Sequence, residues 1–389
     1  MLKDLTPSAA SMGLLAAFVG TASSFAVVLQ GLRAMGASEA EAASGLMAIA
    51  IAKGLAAMVI TAQTRVPISL AWSTPGAALL ATSGALPGGF AEATGAFLIC
   101  GLLLAATGMI RPLRETIEKI PPALASALLA GVLLTFCLAP FQAIAFNPLW
   151  GLPIFLGWLI GGRISNLLAA PGALIAFIGV VFFGVQPPAD ALPSWEALTI
   201  TTPVFATPVF TLGGLIGVAL PLYLVTMAGQ NLPGAGILLT HGYQPHVRKT
   251  LAASGVASAI ASFFGGHACN YAAITAAMCA SEEAHPDPAK RYWAAFMSGL
   301  FYVIFGLFAG VAVSFVLLAP QILITAVGGL ALFGAFSAAI VKAFETLENR
   351  EAAVVTFLVT ASGVSFFGIS GAFWGLIAGG IIHVMRRRA

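Results

Sequence analysis

The chain has 389 residues, of which 59% are hydrophobic and 8% charged, and its mean hydropathy is +0.99. These values exclude a soluble globular domain and describe a polytopic membrane protein. A net charge of +3 argues against a nucleic-acid partner. The four cysteines (Cys100, Cys137, Cys269, Cys279) have no CxxC or metal-ligand spacing, so neither a disulfide framework nor a metal site is expected.

At about 20 residues per span, the apolar runs divide into fourteen segments. The first run, from Ser8 to Leu32, is too long for a signal-peptide core and is read as a retained helix. Seven spans are expected near 9–32, 40–62, 67–84, 91–110, 121–143, 147–165 and 169–186. A polar, Pro-rich connector, Gln186 to Pro208, follows. Seven more are expected near 209–231, 249–264, 265–281, 290–316, 319–342, 351–368 and 371–386. Gly-x-x-x-Gly pairs at Gly213/Gly217, Gly306/Gly310 and Gly375/Gly379 read as helix-packing faces.

Span 3 is interrupted by Ala71-Trp72-Ser73-Thr74-Pro75-Gly76. Thr74 reads as a hydroxyl cap and Pro75 as the first helical residue, so a half-helix should start inside the membrane. Span 10 is interrupted by Gly265-Gly266-His267-Ala268-Cys269-Asn270-Tyr271-Ala272. Asn270 reads as the cap of a second half-helix beginning at Tyr271. Half-helix N-termini turn partial positive charge toward a cavity, which suits an anion.

Lys and Arg fix the expected orientation. With the N-terminus cytoplasmic, fifteen of the seventeen fall on the inner side: Lys3, Arg65, Arg111, Arg114, Lys119, Arg163, Arg248, Lys249, Lys290, Arg291, Lys342, Arg350 and Arg386 to Arg388. Arg33 lies outside and Lys53 within span 2. Corresponding spans recur at an offset near 200 residues. Because each half holds an odd number of spans, the second is expected to be inverted relative to the first, a transporter architecture. The expected fold is therefore an all-α polytopic membrane protein of two inverted seven-span repeats, with spans 3 and 10 broken.

Three motifs, Ala-Trp-Ser-Thr-Pro-Gly-Ala (71–77), Gly-Gln-Asn-Leu-Pro-Gly (229–234) and Gly-Gly-His-Ala-Cys-Asn-Tyr-Ala-Ala-Ile-Thr (265–275), resemble the BenE benzoate:proton symporter family. More distantly the chain is similar to the uracil permease and anion-exchanger group. The resemblance implies a core domain (1–120 and 206–317) that moves against a gate domain (121–205 and 318–389). It also implies an aromatic carboxylate as substrate. Nucleobase permeases of this fold carry glutamates in spans 8 and 10. Here those stretches read Ala228-Gly229-Gln230 and Ala272-Ala273-Ile274, and the missing acids fit an anionic substrate.

Candidate substrate-binding residues are Phe25, Trp72, Ser73, Thr74, Pro75, Gly76, Gly229, Gln230, Asn231, Cys269, Asn270, Tyr271 and Ala272. Gln230 and Asn231 are read as ending span 8. Gln30 is assigned to helix–helix hydrogen bonding. Every Asp and Glu, including Glu92, Glu196 and Glu282, falls in a loop or at a span end, so no buried carboxylate is expected. The titratable candidates are then Lys53 and His267. Lys53 either places a charge near the site, or snorkels inward or bonds loop carbonyls. His267 either carries a proton or bonds backbone in the broken segment.

The sequence thus points to an inner-membrane secondary transporter importing benzoate or a related aromatic monocarboxylate with a proton, with both termini cytoplasmic and no cofactor. An anion exchanger or channel of the same fold stays open, as does a homodimer. A membrane enzyme would need convergent catalytic groups, and no HExxH, Walker or GxSxG motif occurs; a scaffold has no use for paired repeats.

Overall fold

The computed structural model describes residues 5–112, 121–185, 199–366 and 369–387. Lys3, Arg114, Lys119, Glu196, Arg388 and the connector stretch 186–198 lie outside the described residues. The chain is mostly helical. α1 (Pro7–Ala22) and α2 (Phe25–Ala34) are joined at a 40° bend. α3 (Glu39–Thr64) starts behind a capping box made by Ser38 and Glu41. The short strand β1 (Leu70–Trp72) leads into α4 (Thr74–Ser83). Then come α5 (Gly89–Met109), α6 (Pro122–Phe146), α7 (Pro148–Ile164) and α8 (Asn166–Val185).

The second half opens with α9 (Leu212–Thr240) and α10 (Val247–Ser262). β2 (Cys269–Tyr271) and the short α11 (Ile274–Ala280) follow. α12 (Tyr292–Leu307) and α13 (Ala309–Val316) meet at a 60° bend. α14 (Gln321–Phe344), α15 (Arg350–Ala361), a small hairpin of β3 (Ser365–Phe366) and β4 (Ile369–Ser370), and α16 (Gly371–Arg387) complete the chain. Among the described residues six helices are long and apolar enough to cross a membrane, or eight if each bent pair is one span. Large apolar side chains such as Leu149, Ile164, Phe183 and Leu212 are exposed on the outside, as a lipid-facing surface requires.

Close helix crossings organise the bundle. α5 packs on α10, α3 on α12, α6 on α14, α7 on α8 and α15 on α16. Glycines permit the approach. A Cβ on Gly54 of α3 would sit 2.5 Å from the Gly299 carbonyl oxygen of α12, and one on Gly299 would sit 2.6 Å from that of Gly54. Gly375 and Gly379 of α16 lie against Thr360 and Thr356 of α15.

The structure departs from an all-α bundle broken only at spans 3 and 10. Among the described residues four short strands are present, and two further bends have identifiable causes. At the first, the Ser24 hydroxyl donates to the Gly20 carbonyl (3.1 Å) while accepting from Trp72 Nε1 (2.7 Å). At the second, Thr201 from the connector inserts between α12 and α13. Its N–H donates to Leu307 O (2.7 Å) and its hydroxyl accepts from Gly310 N (2.8 Å). Nor does the eighth span end at Asn231. α9 continues to Thr240 through π-helical turns at Leu215–Ala219 and Met227–Asn231, which precede Pro221 and Pro233. The wider turns absorb the hydrogen bonds that proline cannot make. Gln30 does bond between helices: its Nε2 donates to Thr325 Oγ1 of α14 (3.0 Å).

Candidate functional site

The two interrupted segments meet each other. β1 and β2 pair antiparallel, with Leu70 opposite Tyr271, Ala71 opposite Asn270 and Trp72 opposite Cys269. Ser73 N donates to Ala268 O (2.8 Å) and Ala272 N to Ser69 O (3.0 Å), extending the ladder at both ends. Backbone that would otherwise be unsatisfied inside a membrane is thereby paired. Side chains pin the ladder on both sides. Ser69 and Thr275 share a hydroxyl hydrogen bond (2.8 Å), Cys269 N donates to Ser258 Oγ (2.7 Å), and Tyr271 N donates to Asn231 Oδ1 (3.0 Å).

The caps differ from expectation. Ser73, not Thr74, caps α4: its Oγ accepts from Gly76 N (3.1 Å) and shares a hydrogen bond with Thr226 Oγ1 of α9 (2.7 Å). Thr74 and Pro75 are the first two helical residues; Thr74 is half-buried and Pro75 and Gly76 are buried. Asn270 caps no helix, because it lies in β2, and α11 starts only at Ile274 behind Ala273, which makes no side-chain cap. The ladder holds residues 269–271 extended, so helix cannot begin there. α11 has only seven residues, so the second dipole end is weak. Its other end is held by Arg291, whose Nη1 donates to Ala280 O (2.8 Å).

Lys53 does not snorkel. It is fully buried midway along α3, with Nζ 3.8 Å from the Trp72 ring centroid and 3.7 Å from that of Tyr302. Among the described residues Nζ has no hydrogen-bond partner. His267 is also fully buried, edge-on to Phe97, with Nε2 3.1 Å from the Ser73 carbonyl oxygen. A carbonyl only accepts, so Nε2 carries the hydrogen; Nδ1 has no partner among the described residues. Asn270 is buried too. Its Nδ2 donates to Tyr271 O (2.6 Å), which leaves Oδ1 unpartnered.

The remaining candidates separate. Gly229 faces Pro75 and Leu129, so it lies where α4, α6 and α9 meet. Gln230 beside it is half-buried, and Asn231 is committed to the ladder and to Met227 Sδ (3.4 Å). Tyr271 is buried and turns its hydroxyl to Pro245 O, and Ala272 is buried. Phe25 lines a different cavity, of about 360 Å³, with Phe18, Phe177, Phe305, Phe308 and Phe315. None of residues 69–76, 229–234 or 267–275 borders it.

Glu92 corrects the expectation of no buried carboxylate. It is 3% exposed in the first turn of α5, accepting from Gly88 N (2.7 Å) and from the Thr211 hydroxyl. Its position favours the helix N-terminus, and both oxygens are used. Every other described Asp and Glu is exposed or half-buried. His285, between α11 and α12, is buried, and its Nδ1 accepts from Asp287 N (2.9 Å). Tyr302, Ser24, Thr226 and Ser258 frame the broken segments and were not legible as site residues. Each is an isolated polar residue on an apolar helix, a pattern that packing alone also produces. No group of three or more His, Cys, Asp or Glu that could hold a metal occurs among the described residues.

Comparison with known proteins places this architecture. Residues 3–385 match the family BenE, described as benzoate membrane transport protein. An Escherichia coli (strain K12) relative, inner membrane protein YdcO, is 37% identical over 99% of this chain and 97% of its own length. A benzoate membrane transport protein of Acinetobacter baylyi is 33% identical over 97% of this chain and 94% of its own. Among solved structures, the transmembrane domain of the cyanobacterial bicarbonate transporter BicA aligns with a TM-score of 0.60 at 15% identity, over 96% of this chain and 98% of that one. Murine Solute Carrier 26 family member A9, an anion transporter, aligns with a TM-score of 0.54 at 14% identity, over 97% of this chain and 68% of that one. The fold is thus the one shared by those transporters, and the chain belongs to the BenE family of benzoate membrane transport proteins.

Proposed function

We propose that this protein is a secondary active transporter that imports benzoate or a closely related aromatic monocarboxylate together with a proton, by alternating access. The observation that carries the reading is the β1–β2 ladder, which brings the start of α4 and the acid-free stretch around Asn270 together inside the membrane. The carboxylate would sit beside Thr74–Gly76 and Asn270, with Gly229 and Gln230 closing the site from α9. The name of the Acinetobacter relative supports benzoate as the substrate class. Lys53 and His267 are the groups we assign to charge balance and proton movement.

The fourteen-span, seven-plus-seven reading draws support from the packing. An inverted repeat exchanges the fourth span with the eleventh and the second with the ninth. The pairs α5–α10 and α3–α12 exchange in that way, and α7–α8 and α15–α16 likewise. On this reading, residues 1–120 and 206–317 form the core, residues 121–205 and 318–389 form the gate, and both termini are cytoplasmic in the inner membrane.

A ligand screen on purified protein tests the site. Benzoate at a hundred times its Kd should stabilise the fold by about 2.7 kcal/mol and raise the melting temperature, whereas aliphatic carboxylates should do so weakly. Asn270→Ala and Thr74→Ala are expected to weaken the benzoate effect about tenfold without unfolding the protein, the loss of about one charge-assisted hydrogen bond. Wild-type response in both variants would move the site elsewhere.

A further inference from the structure

Lys53 sits behind the ladder in surroundings that attract a cation without neutralising it. The aromatic faces of Trp72 and Tyr302 lie 3.8 and 3.7 Å from Nζ. A lysine serving only packing would direct its ammonium to a carbonyl, a carboxylate or the membrane surface. This one reaches none of them: it is fully buried and Nζ has no hydrogen-bond acceptor among the described residues. The titratable groups around it are Tyr302 on α12, whose ring it contacts, and, on the β2 segment, Cys269, the register partner of Trp72, with His267 two residues before it. Every described carboxylate except Glu92 is exposed or half-buried, and both Glu92 oxygens are engaged at the start of α5. The indole that clamps Lys53 belongs to the residue immediately before Ser73, the cap of α4.

We propose that Lys53, clamped between Trp72 and Tyr302, is a positioning residue that makes the neighbouring site prefer an anion over a neutral molecule of the same shape. It acts through its field across the Trp72 ring rather than by touching the substrate. The inference rests on the reading of the α4 start as the substrate site. It adds that selection for charge comes from α3, an element that supplies none of the contact residues. Low polarisability around the clamp lets a single charge act over several ångströms.

The test measures binding of two matched pairs, benzoate with benzamide and acetate with acetamide, to purified full-length protein. Lys53→Met should lower benzoate affinity about tenfold or more and leave benzamide unchanged. Lys53→Arg should keep most of the preference. Lys53→Gln, which removes the charge but keeps a polar chain, should lose the preference as Lys53→Met does, and serves if Lys53→Met does not fold. Equal losses for benzoate and benzamide, or no change in either, would overturn the proposal. A wild type that prefers acetate to acetamide but ignores benzoate would refute the benzoate reading while still allowing Lys53 to be tested on acetate. A wild type with no preference in either pair would refute the role of Lys53 itself.

Discussion

Replacing Gly329 by Val is expected to leave no folded protein in the membrane. Gly329 lies on α14 where it crosses α6. A Cβ there would land on the Phe136 carbonyl oxygen, 2.8 Å from its carbon and 3.1 Å from Pro140 Cδ. Overpacking costs about 1–3 kcal/mol where side chains can shift. Here the obstacle is backbone, so α6 and α14 would have to separate along their length. A loss above about 3 kcal/mol is a large part of the 5–15 kcal/mol that holds a typical protein folded. Gly334 provides the control on the same helix, since a Cβ there meets nothing within 4 Å. Gly334→Ala should give a normal monodisperse peak on size-exclusion chromatography, and Gly329→Val none. A well-behaved Gly329→Val protein would mean that the α6–α14 crossing is looser than described.

Ser73→Ala is expected to disable transport and lower stability together. Ser73 joins five connections: its N–H donates to Ala268 O, its carbonyl receives Ala77 N and His267 Nε2, and its hydroxyl serves Gly76 N and Thr226. The alanine keeps the backbone bonds but removes the hydroxyl. Losing the cap costs about 0.5–2 kcal/mol, and stranding the buried Thr226 hydroxyl about 1–3 kcal/mol, so the sum is roughly 1.5–5 kcal/mol. The α4 start would loosen where the substrate is proposed to bind, and uptake should fall at least about tenfold. Ser73→Thr, which retains a capping hydroxyl, should recover much of both. Thermal unfolding and uptake measured on the two variants check this. An unchanged Ser73→Ala would show that α4 is held by packing alone.

The two membrane breaks were readable because Pro75, Gly76, Gly265 and Gly266 punctuate otherwise apolar runs, and few residues can occupy such positions. The identity of the caps was less accessible. Ser73 and Thr74 are adjacent hydroxyls, and only the backbone angles of the folded chain choose between them. Asn270 looks like a cap locally, but pairing with Ala71 overrides that preference, and the register of two strands far apart in sequence is a tertiary property. The bends at Ser23–Ser24 and Phe308 leave no local sequence signal for a similar reason. Their causes, Trp72 and Thr201, lie in other parts of the chain. Lys53 could be singled out as an intramembrane charge, but the Trp72–Tyr302 clamp that holds it requires α3, β1 and α12 to converge. Pro233 suggested a helix end because the π turn that accommodates it leaves no mark in composition.

We propose above all that this protein carries an aromatic carboxylate inward with a proton. Uptake of labelled benzoate into proteoliposomes, with the interior alkaline and no other driving ion, tests it most directly. Accumulation above the external concentration, abolished by a protonophore and independent of any counter-anion inside, is the predicted result. Uptake that ignores the protonophore, or that requires a trapped counter-anion, would contradict it.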